Sequence, residues 1–327
     1  MIRSKPQGIY GMRVGVVHSA ASPCGCAAAA VTGLSALGHE YVVVDAEEIF
    51  LRSGELAATC DLVIDHTDTF LGWGVLRPFV RWELERQGAR IAGSSARTCF
   101  LADDKIAVRR RFAAAGIPVP PGVGIADPGA ALPPWLEPPL ILKPACEHMS
   151  RGIVRAATSA EAVAALADLV RRYHQPVLVE TFIPGRELAV SLLEGPEGPV
   201  VLPILEWLPE GEEYGILTEE YKCRERDPDR DDARRPLLSP ACRRELESLA
   251  GRAFRSLGLR DYARFDVRLA ADGSCCFLEA NTTPSLETAE ALALSARWAG
   301  LDYPGLVAHI LAAARRRYEA GNRAAFF

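Results

Sequence analysis

YARFDVRLAADGSCCFLEAN, residues 262–281, alternates apolar and polar side chains on both sides of an Asp-Gly pair. Asp-Gly supplies the positive φ angles that a two-residue hairpin loop needs. With Asp272 and Gly273 as that loop, Ala271 faces Ser274, Asp266 lies across from Glu279, and Arg264 lies across from Asn281. Side chains alternate faces along a strand. Phe265, Val267 and Leu269 therefore point into a core, while Arg264, Asp266, Arg268, Glu279 and Asn281 share the other face. Directly opposed carboxylates repel and weaken a hairpin. A divalent cation removes the conflict, and an oxygen-only donor set suits Mg²⁺ or Mn²⁺ holding phosphates. Geometry leaves a second reading open, in which Arg264 and Arg268 neutralise the acids on an exposed, salt-bridged face.

The first hundred residues have a different rhythm. RVGVVH (13–18), YVVVD (41–45) and DLVID (61–65) are apolar runs of strand length, separated by an Ala-rich helix from about Cys24 to Leu37 and followed by a helix from Trp73 to Gln87. Strands alternating with helices imply a parallel sheet covered on both faces. Ligands of such sheets gather at the carboxyl ends of the strands, which here carry His18, Asp45 and His66. No GxGxxG follows the first strand, which argues against a dinucleotide site. A Pro-rich stretch, IPVPPGVGIADPGAALPPWLEPP (117–139), reads as a surface connection. Beyond it come PLILKP (139–144), a GIVRA strand, a helix over 159–173, VLVE (177–180), ELAVSLL (187–193) and VVLPILEW (200–207). Residues 210–236 are too charged and Pro-bounded for a core, and long enough for a functional loop or lid. A helix over 239–257, the hairpin and two closing helices complete the chain.

At 327 residues, 49% hydrophobic and 24% charged, the chain has the length and composition of a globular enzyme of two or three domains. A net charge of -5 argues against a general nucleic-acid binder. The clusters Arg109 to Arg111 and Arg315 to Arg317 read as solvated helix faces. No apolar run approaches the ~20 residues that span a bilayer, and the N-terminus lacks a signal-peptide layout. Nine scattered cysteines without a CxxC pair fit a reducing cytoplasm. Cys24-Gly25-Cys26 offers two thiols with no further ligand nearby, a poor zinc site, and reads as small residues at a helix start.

RFDVRL followed by FLEANTTP resembles the metal-binding hairpin of the D-alanine–D-alanine ligase family, within the ATP-grasp superfamily. The resemblance runs in order along nearly the whole chain. FLADDKIAVRRRFAAAGIPVP (100–120) is similar to the stretch in which a lysine opens a helix closed by G-[IL]-P-[VT]-P. LKPACEHMSRGI (142–153) has the spacing of the phosphate loop, VLVETFIPGRELAVSLL (177–193) that of the adenine hinge and G-x-E motif, and EEYKC (219–223) that of a lysine-bearing mobile loop. The resemblance implies a three-domain α/β and α+β fold: a parallel α/β domain (1–99), a central lid domain (100–183) and a C-terminal antiparallel sheet domain (184–327) with a mobile loop at 210–236.

It also implies roles. Lys105 and Lys143 contact ATP phosphates, and Ser150 with its loop closes over them. Glu180, Thr181, Phe182 and Ile183 read the adenine, and Glu187 the ribose. Asp266, Glu279 and Asn281 hold Mg²⁺ or Mn²⁺. Arg264 stabilises the charge of an acyl phosphate and the tetrahedral intermediate, and Lys222 reaches the transferred phosphate. The partners are a small-molecule acid and amine, with a homodimer left open and neither nucleic acid nor membrane involved.

The amino-acid half departs from the family. The glutamate of G-x-S-x-E-x-x-[SI] after the first strand has no counterpart in HSAASPCGCAAAA (18–30). H-G-x-x-G-E-D-G becomes HTDTFLGWG (66–74), the phosphate loop reads Glu147-His148-Met149-Ser150, and P-G-M-T becomes Pro284-Ser285-Leu286-Glu287. His66, Asp68, Ser19, His148 and Met149 are the candidate substrate contacts on this side, with Asp68 a substitute for the lost acid. The expected activity is an amide-forming ligase whose substrate is not D-alanine. A genuine D-alanine–D-alanine ligase, a ring-closing ligase and a non-catalytic ATP binder remain as alternatives.

Overall fold

The computed structural model describes residues 11–22, 24–208 and 232–321. Its first sheet is parallel throughout, ordered β2 (Glu40–Asp45), β1 (Arg13–His18), β3 (Leu62–His66), β4 (Ile91–Ala92). Helix α1 (Cys26–Ala36) covers one face, and α2 (Ile49–Thr59) with α3 (Arg77–Arg86) covers the other. Val14, Val16 and Ile64 pack on one side, Val17 and Val63 on the opposite side. That two-sided burial accounts for the continuous apolar runs of these strands.

Residues 77–86 form a shorter helix than the run from Trp73 suggested. Trp73 bridges back to Phe70, and Gly74–Leu76 is a 3-10 turn leading into Pro78 at the start of α3. Next come α4 (Ala96–Asp103) and α5 (Lys105–Ala114), the latter capped by Asp104, whose carboxylate accepts from the amides of Ile106 and Ala107.

The second sheet is antiparallel, ordered β5 (Gly122–Ile125), β8 (Val177–Thr181), β6 (Leu140–Pro144), β7 (Val154–Ala156), with α6 (Ser159–Tyr173) packed on it. Strand β5 corrects the reading of 117–139 as a mere connection. Glycine permits it: a Cβ on Gly122 would lie 2.6 Å from the Val179 carbonyl, and one on Gly124 2.4 Å from Ile106 Cδ1.

The third sheet runs β12 (Ala233–Arg234), β11 (Leu205–Trp207), β9 (Arg186–Gly195), β13 (Tyr262–Leu269), β14 (Cys275–Asn281), with β10 (Gly198–Val201) also paired to β9. Helix α7 (Pro240–Leu257) packs on its apolar face together with α5. Phe112 of α5 meets Phe265 and Phe277 edge-on at centroid distances of 6.0 and 5.9 Å. Aromatic pairs of this kind add roughly 0.5–1.5 kcal/mol each beyond area burial. They lock the helix that begins at Lys105 to the hairpin that carries the acids. After α8 (Ala291–Trp298), the last helix, α9 (Tyr303–Glu319), returns to the first sheet, where the Tyr318 hydroxyl accepts from the Ile91 amide. No helix among the described residues is long and apolar enough to cross a membrane.

Candidate active site

The β13–β14 hairpin pairs Asp266 with Glu279 and Arg264 with Asn281, but by a different route from a two-residue turn. Ala270 donates to the Ser274 carbonyl, and Gly273, at φ +87°, closes a three-residue loop. This loop shifts the pairing by one, so Leu269 faces Cys275. A bulge at Leu278 restores the register before Glu279. Bulges re-aim side chains beside functional sites. Here Leu278 and Glu279 both face a cleft, while Phe277 and Ala280 both enter the core.

Arg264 grips Asp266 with two donors, Nε to Oδ1 at 2.7 Å and Nη2 to Oδ2 at 3.0 Å. Burial opposes the Arg264 charge, yet Asp266 outweighs it and raises the guanidinium pKa above its ordinary value. Arg268 lies 3.3 Å from Glu187 Oε2 and donates to the Gly185 carbonyl. The salt-bridged face and the oxygen cluster thus coexist. Asn281 Nδ2 sits 3.4 Å from Asp266 Oδ2 and 3.3 Å from Glu279 Oε1. Turning that amide over presents its oxygen beside the two carboxylates, giving an all-oxygen donor set that fits a hard divalent cation.

The cleft, about 600 Å³ with its open solvent, lies between the second and third sheets. Lys143, Ser150, Glu180, Thr181, Phe182, Ile183, Glu187, Asp266 and Glu279 all line it. Lys143 Nζ is 2.6 Å from Glu180 Oε1, both buried on neighbouring strands. The guanidinium groups of Arg155 and Arg268 lie 4.6 and 5.6 Å from the Phe182 ring centre, in the range of a cation–π contact. Lys105 does not join this lining. It is buried beneath the phosphate loop, where its Nζ donates to the Glu147 carbonyl and burial lowers its pKa. Lys222 lies outside the described residues, as does most of the 210–236 segment.

His148 and Met149 also stand apart from the cleft lining. His148 packs on Gly74 and sits 3.6 Å from Asp103 Oδ2. Met149 is partly exposed at φ +57°, followed by Ser150 at +60°. Two consecutive left-handed residues explain why a loop of this shape favours glycine.

On the far side, His66 is buried at the end of β3 and its Nε2 lies 3.0 Å from the Tyr262 hydroxyl. Asp68 accepts from Ser22 Oγ at 2.8 Å. Ser19 is not free to meet a ligand: its hydroxyl donates to the Thr69 carbonyl and accepts from the amides of Asp68 and Thr69. It holds the 67–69 loop instead. A carboxylate reaches the turn after β1 from far along the chain: Glu287 Oε1 accepts from the Gly25 amide at 3.0 Å. Burial pushes the Glu287 carboxyl above its ordinary pKa.

Sequence reasoning passed over several residues that organise this region. Arg77 clasps Asp103 through Nε and Nη2 and reaches Thr283 Oγ1 at 2.7 Å, two residues beyond Asn281. Burial opposes the Asp103 charge, but Arg77 outweighs it and holds the carboxyl below its ordinary range. Arg81 donates to Asp65 Oδ2 at 2.9 Å in full burial. The arginines inside the otherwise apolar LRPFVRW stretch were the available signal.

A family pattern described as "D-ala D-ala ligase C-terminus" matches residues 112–312. The D-alanine–D-alanine ligase of Thermotoga maritima is 32% identical over 282 residues, covering 86% of this chain and 88% of the relative. An uncharacterised protein of Sinorhizobium fredii is 31% identical over 297 residues, covering 88% and 87%. The crystal structure of the Bacillus anthracis D-alanine–D-alanine ligase complexed with ATP superposes with a TM-score of 0.77 at 21% identity, covering 95% of this chain and all of that one. The fold is thus the three-domain ATP-grasp fold, and the chain belongs to the D-alanine–D-alanine ligase family of ATP-dependent carbon–nitrogen ligases.

Proposed function

We propose that the protein joins a carboxylate to an amine through an acyl phosphate, releasing ADP and phosphate, and that its acid substrate is not D-alanine. The observation that carries the first part is the single cleft shared by Lys143, Ser150, Glu180, Glu187, Asp266 and Glu279, with Arg264 gripping Asp266 at its edge. Lys143 and Ser150 bind the phosphates, while Glu180 and residues 181–183 hold the adenine. Glu187, kept in place by Arg268, accepts from the ribose hydroxyls. Asp266, Glu279 and Asn281 hold Mg²⁺, which screens the triphosphate charge when bound. A carboxylate oxygen attacks the γ-phosphorus and ADP leaves. The amine nitrogen then attacks the acyl carbon, phosphate leaves, and the nitrogen sheds a proton. Arg264 stabilises the charge that gathers on the acyl oxygen, so the chain contributes positioning and electrostatics.

The substrate reading rests on the wall after β1. It presents the thiols of Cys24 and Cys26, while Ser19 is consumed by the 67–69 loop. Glu287 and Asp68 favour a second reading, a true D-alanine–D-alanine ligase, because they return carboxylates to a pocket that lost its acid. Glu287, however, already accepts from the Gly25 amide and reaches the pocket from the C-terminal side. Incubation with ATP, Mg²⁺ and D-alanine decides between them. Little or no dipeptide is expected, and efficient turnover at millimolar D-alanine sinks the first reading. A panel of acids and amines should give ADP and phosphate; AMP and pyrophosphate would rule out the acyl-phosphate route.

A further inference from the structure

The β1–α1 turn and the segment after the metal hairpin, 261 residues apart at Cys26 and Glu287, bring three soft or anionic donors together. The ligating atoms of Cys24, Cys26 and Glu287 all lie within 4.8 Å of one another. We propose that Cys24, Cys26 and Glu287 form a second metal site that takes a borderline-soft divalent cation, zinc in particular, distinct from the all-oxygen Mg²⁺ site of the hairpin.

Donor chemistry comes first. Two thiolates and a carboxylate suit Zn²⁺, whereas Mg²⁺ prefers oxygen alone. Three protein ligands leave one tetrahedral position open for water or a substrate group, the arrangement found in catalytic zinc sites.

The surroundings of the sulfurs are the second, independent observation. The Cys26 amide donates to Cys24 Sγ at 3.4 Å, and the Leu286 amide donates to Cys26 Sγ at 3.4 Å. The Gly25 amide fixes the Glu287 carboxylate at 3.0 Å, and Ser285 Oγ lies 3.3 Å from Cys26 Sγ. Backbone donors aimed at ligand atoms orient them and stabilise their anionic forms, as outer-shell partners of bound metals do.

Two thiols alone had looked like a poor site in the sequence; the structure brings in the third ligand.

The test uses the full-length protein and the metal itself. Protein purified from zinc-containing medium should hold one equivalent of zinc by elemental analysis. Replacing it with Co²⁺ should give thiolate-to-cobalt charge-transfer bands in the near ultraviolet and intense four-coordinate bands in the visible. Cys24→Ser and Cys26→Ser should abolish those bands. Glu287→Gln should weaken zinc affinity by more than the roughly 10- to 100-fold that losing an outer-shell partner costs. Cys60→Ser and Cys146→Ser should leave the bands intact. Should Cys26→Ser fail to fold, Cys24→Ser and Glu287→Gln still give the answer. Wild-type protein without cobalt–thiolate bands overturns the proposal, as do bands that survive Cys24→Ser or an unchanged zinc affinity in Glu287→Gln. The outcome does not depend on the acyl-phosphate reading, since binding is measured without ATP or turnover.

Discussion

The cleft between the second and third sheets and the cluster of side chains beyond β1 are built in opposite ways. In the cleft the side chains pair with near neighbours on adjacent strands, Lys143 with Glu180 and Arg268 with Glu187, or along one strand, Arg264 with Asp266. Beyond β1 they meet across the chain: Cys24 and Gly25 of the β1–α1 turn reach Glu287, and His66 at the end of β3 reaches Tyr262 at the start of β13. Strand-borne pairs are fixed by the register of a sheet. Contacts between elements far apart in the chain are fixed only once those elements have packed together. The first half can therefore keep its chemistry while the second is rebuilt by a few substitutions in short turns.

The largest effect that sharpens this contrast falls on the hairpin acids. Asp266→Asn or Glu279→Gln should lower turnover by several kcal/mol of transition-state stabilisation, about a thousandfold or more. Glu279→Gln should keep the fold, because removing one of two opposed acids relieves repulsion, whereas Asp266→Asn also takes the counter-charge from buried Arg264 and should lower the melting temperature. Full activity with Mg²⁺ in either variant, together with a normal thermal melt, would break the assignment of the cleft.

A middle-sized effect concerns the joint between the two halves. Asp103 is buried and Arg77 nearly so, and Arg77 reaches the Thr282–Thr283 turn behind Asn281. Asp103→Asn leaves a buried guanidinium without its counter-charge, which typically costs about 3–5 kcal/mol. The pH dependence follows from the direction of the shift. The folded-state pKa of Asp103 is depressed, so the stability it contributes is fully present above the unfolded value of about 3.9 and disappears as pH falls through the folded value. Denaturant melts of wild type and variant should differ by a constant amount from about pH 5 upward and converge below about pH 4. A gap that stays constant down to the acid transition would show that the pair is not what stabilises the joint.

The limits of sequence reading follow the same division. Alternation in Arg264 to Leu269 is a local property, so the shared face of Arg264, Asp266 and Glu279 was legible. Its register, however, was reached through two compensating errors: a three-residue loop in place of a two-residue one, and a bulge at Leu278 that cancels the shift. Strand β5 was hidden because proline and glycine normally mark loops, and only close approach to Glu180 and Ile106 explains Gly122 and Gly124. Glu287 was read only as part of the departure from P-G-M-T. Its partners lie about 260 positions upstream, and no periodicity carries that information.

The smallest expected effect separates bulk from backbone strain in the phosphate loop. Met149 was expected to contact the substrate, yet it is partly exposed, lies outside the cleft lining, and occupies a left-handed conformation at φ +57°. A side chain in that region costs roughly 1–2 kcal/mol. Met149→Gly removes the strain but gives the unfolded chain more freedom, which takes back about 0.4–1 kcal/mol. The net change should be a stabilisation of no more than about 1.6 kcal/mol, and acceptance of D-alanine should not change. Ser150 follows at φ +60°, so the loop retains one strained residue beside the cleft and should keep its shape. Thermal melts and a substrate panel on the same variant measure both quantities. If Met149→Gly admits D-alanine, this side chain reaches the substrate despite its exposed position, and the division between a preserved nucleotide cleft and a rebuilt pocket would then run through the phosphate loop itself.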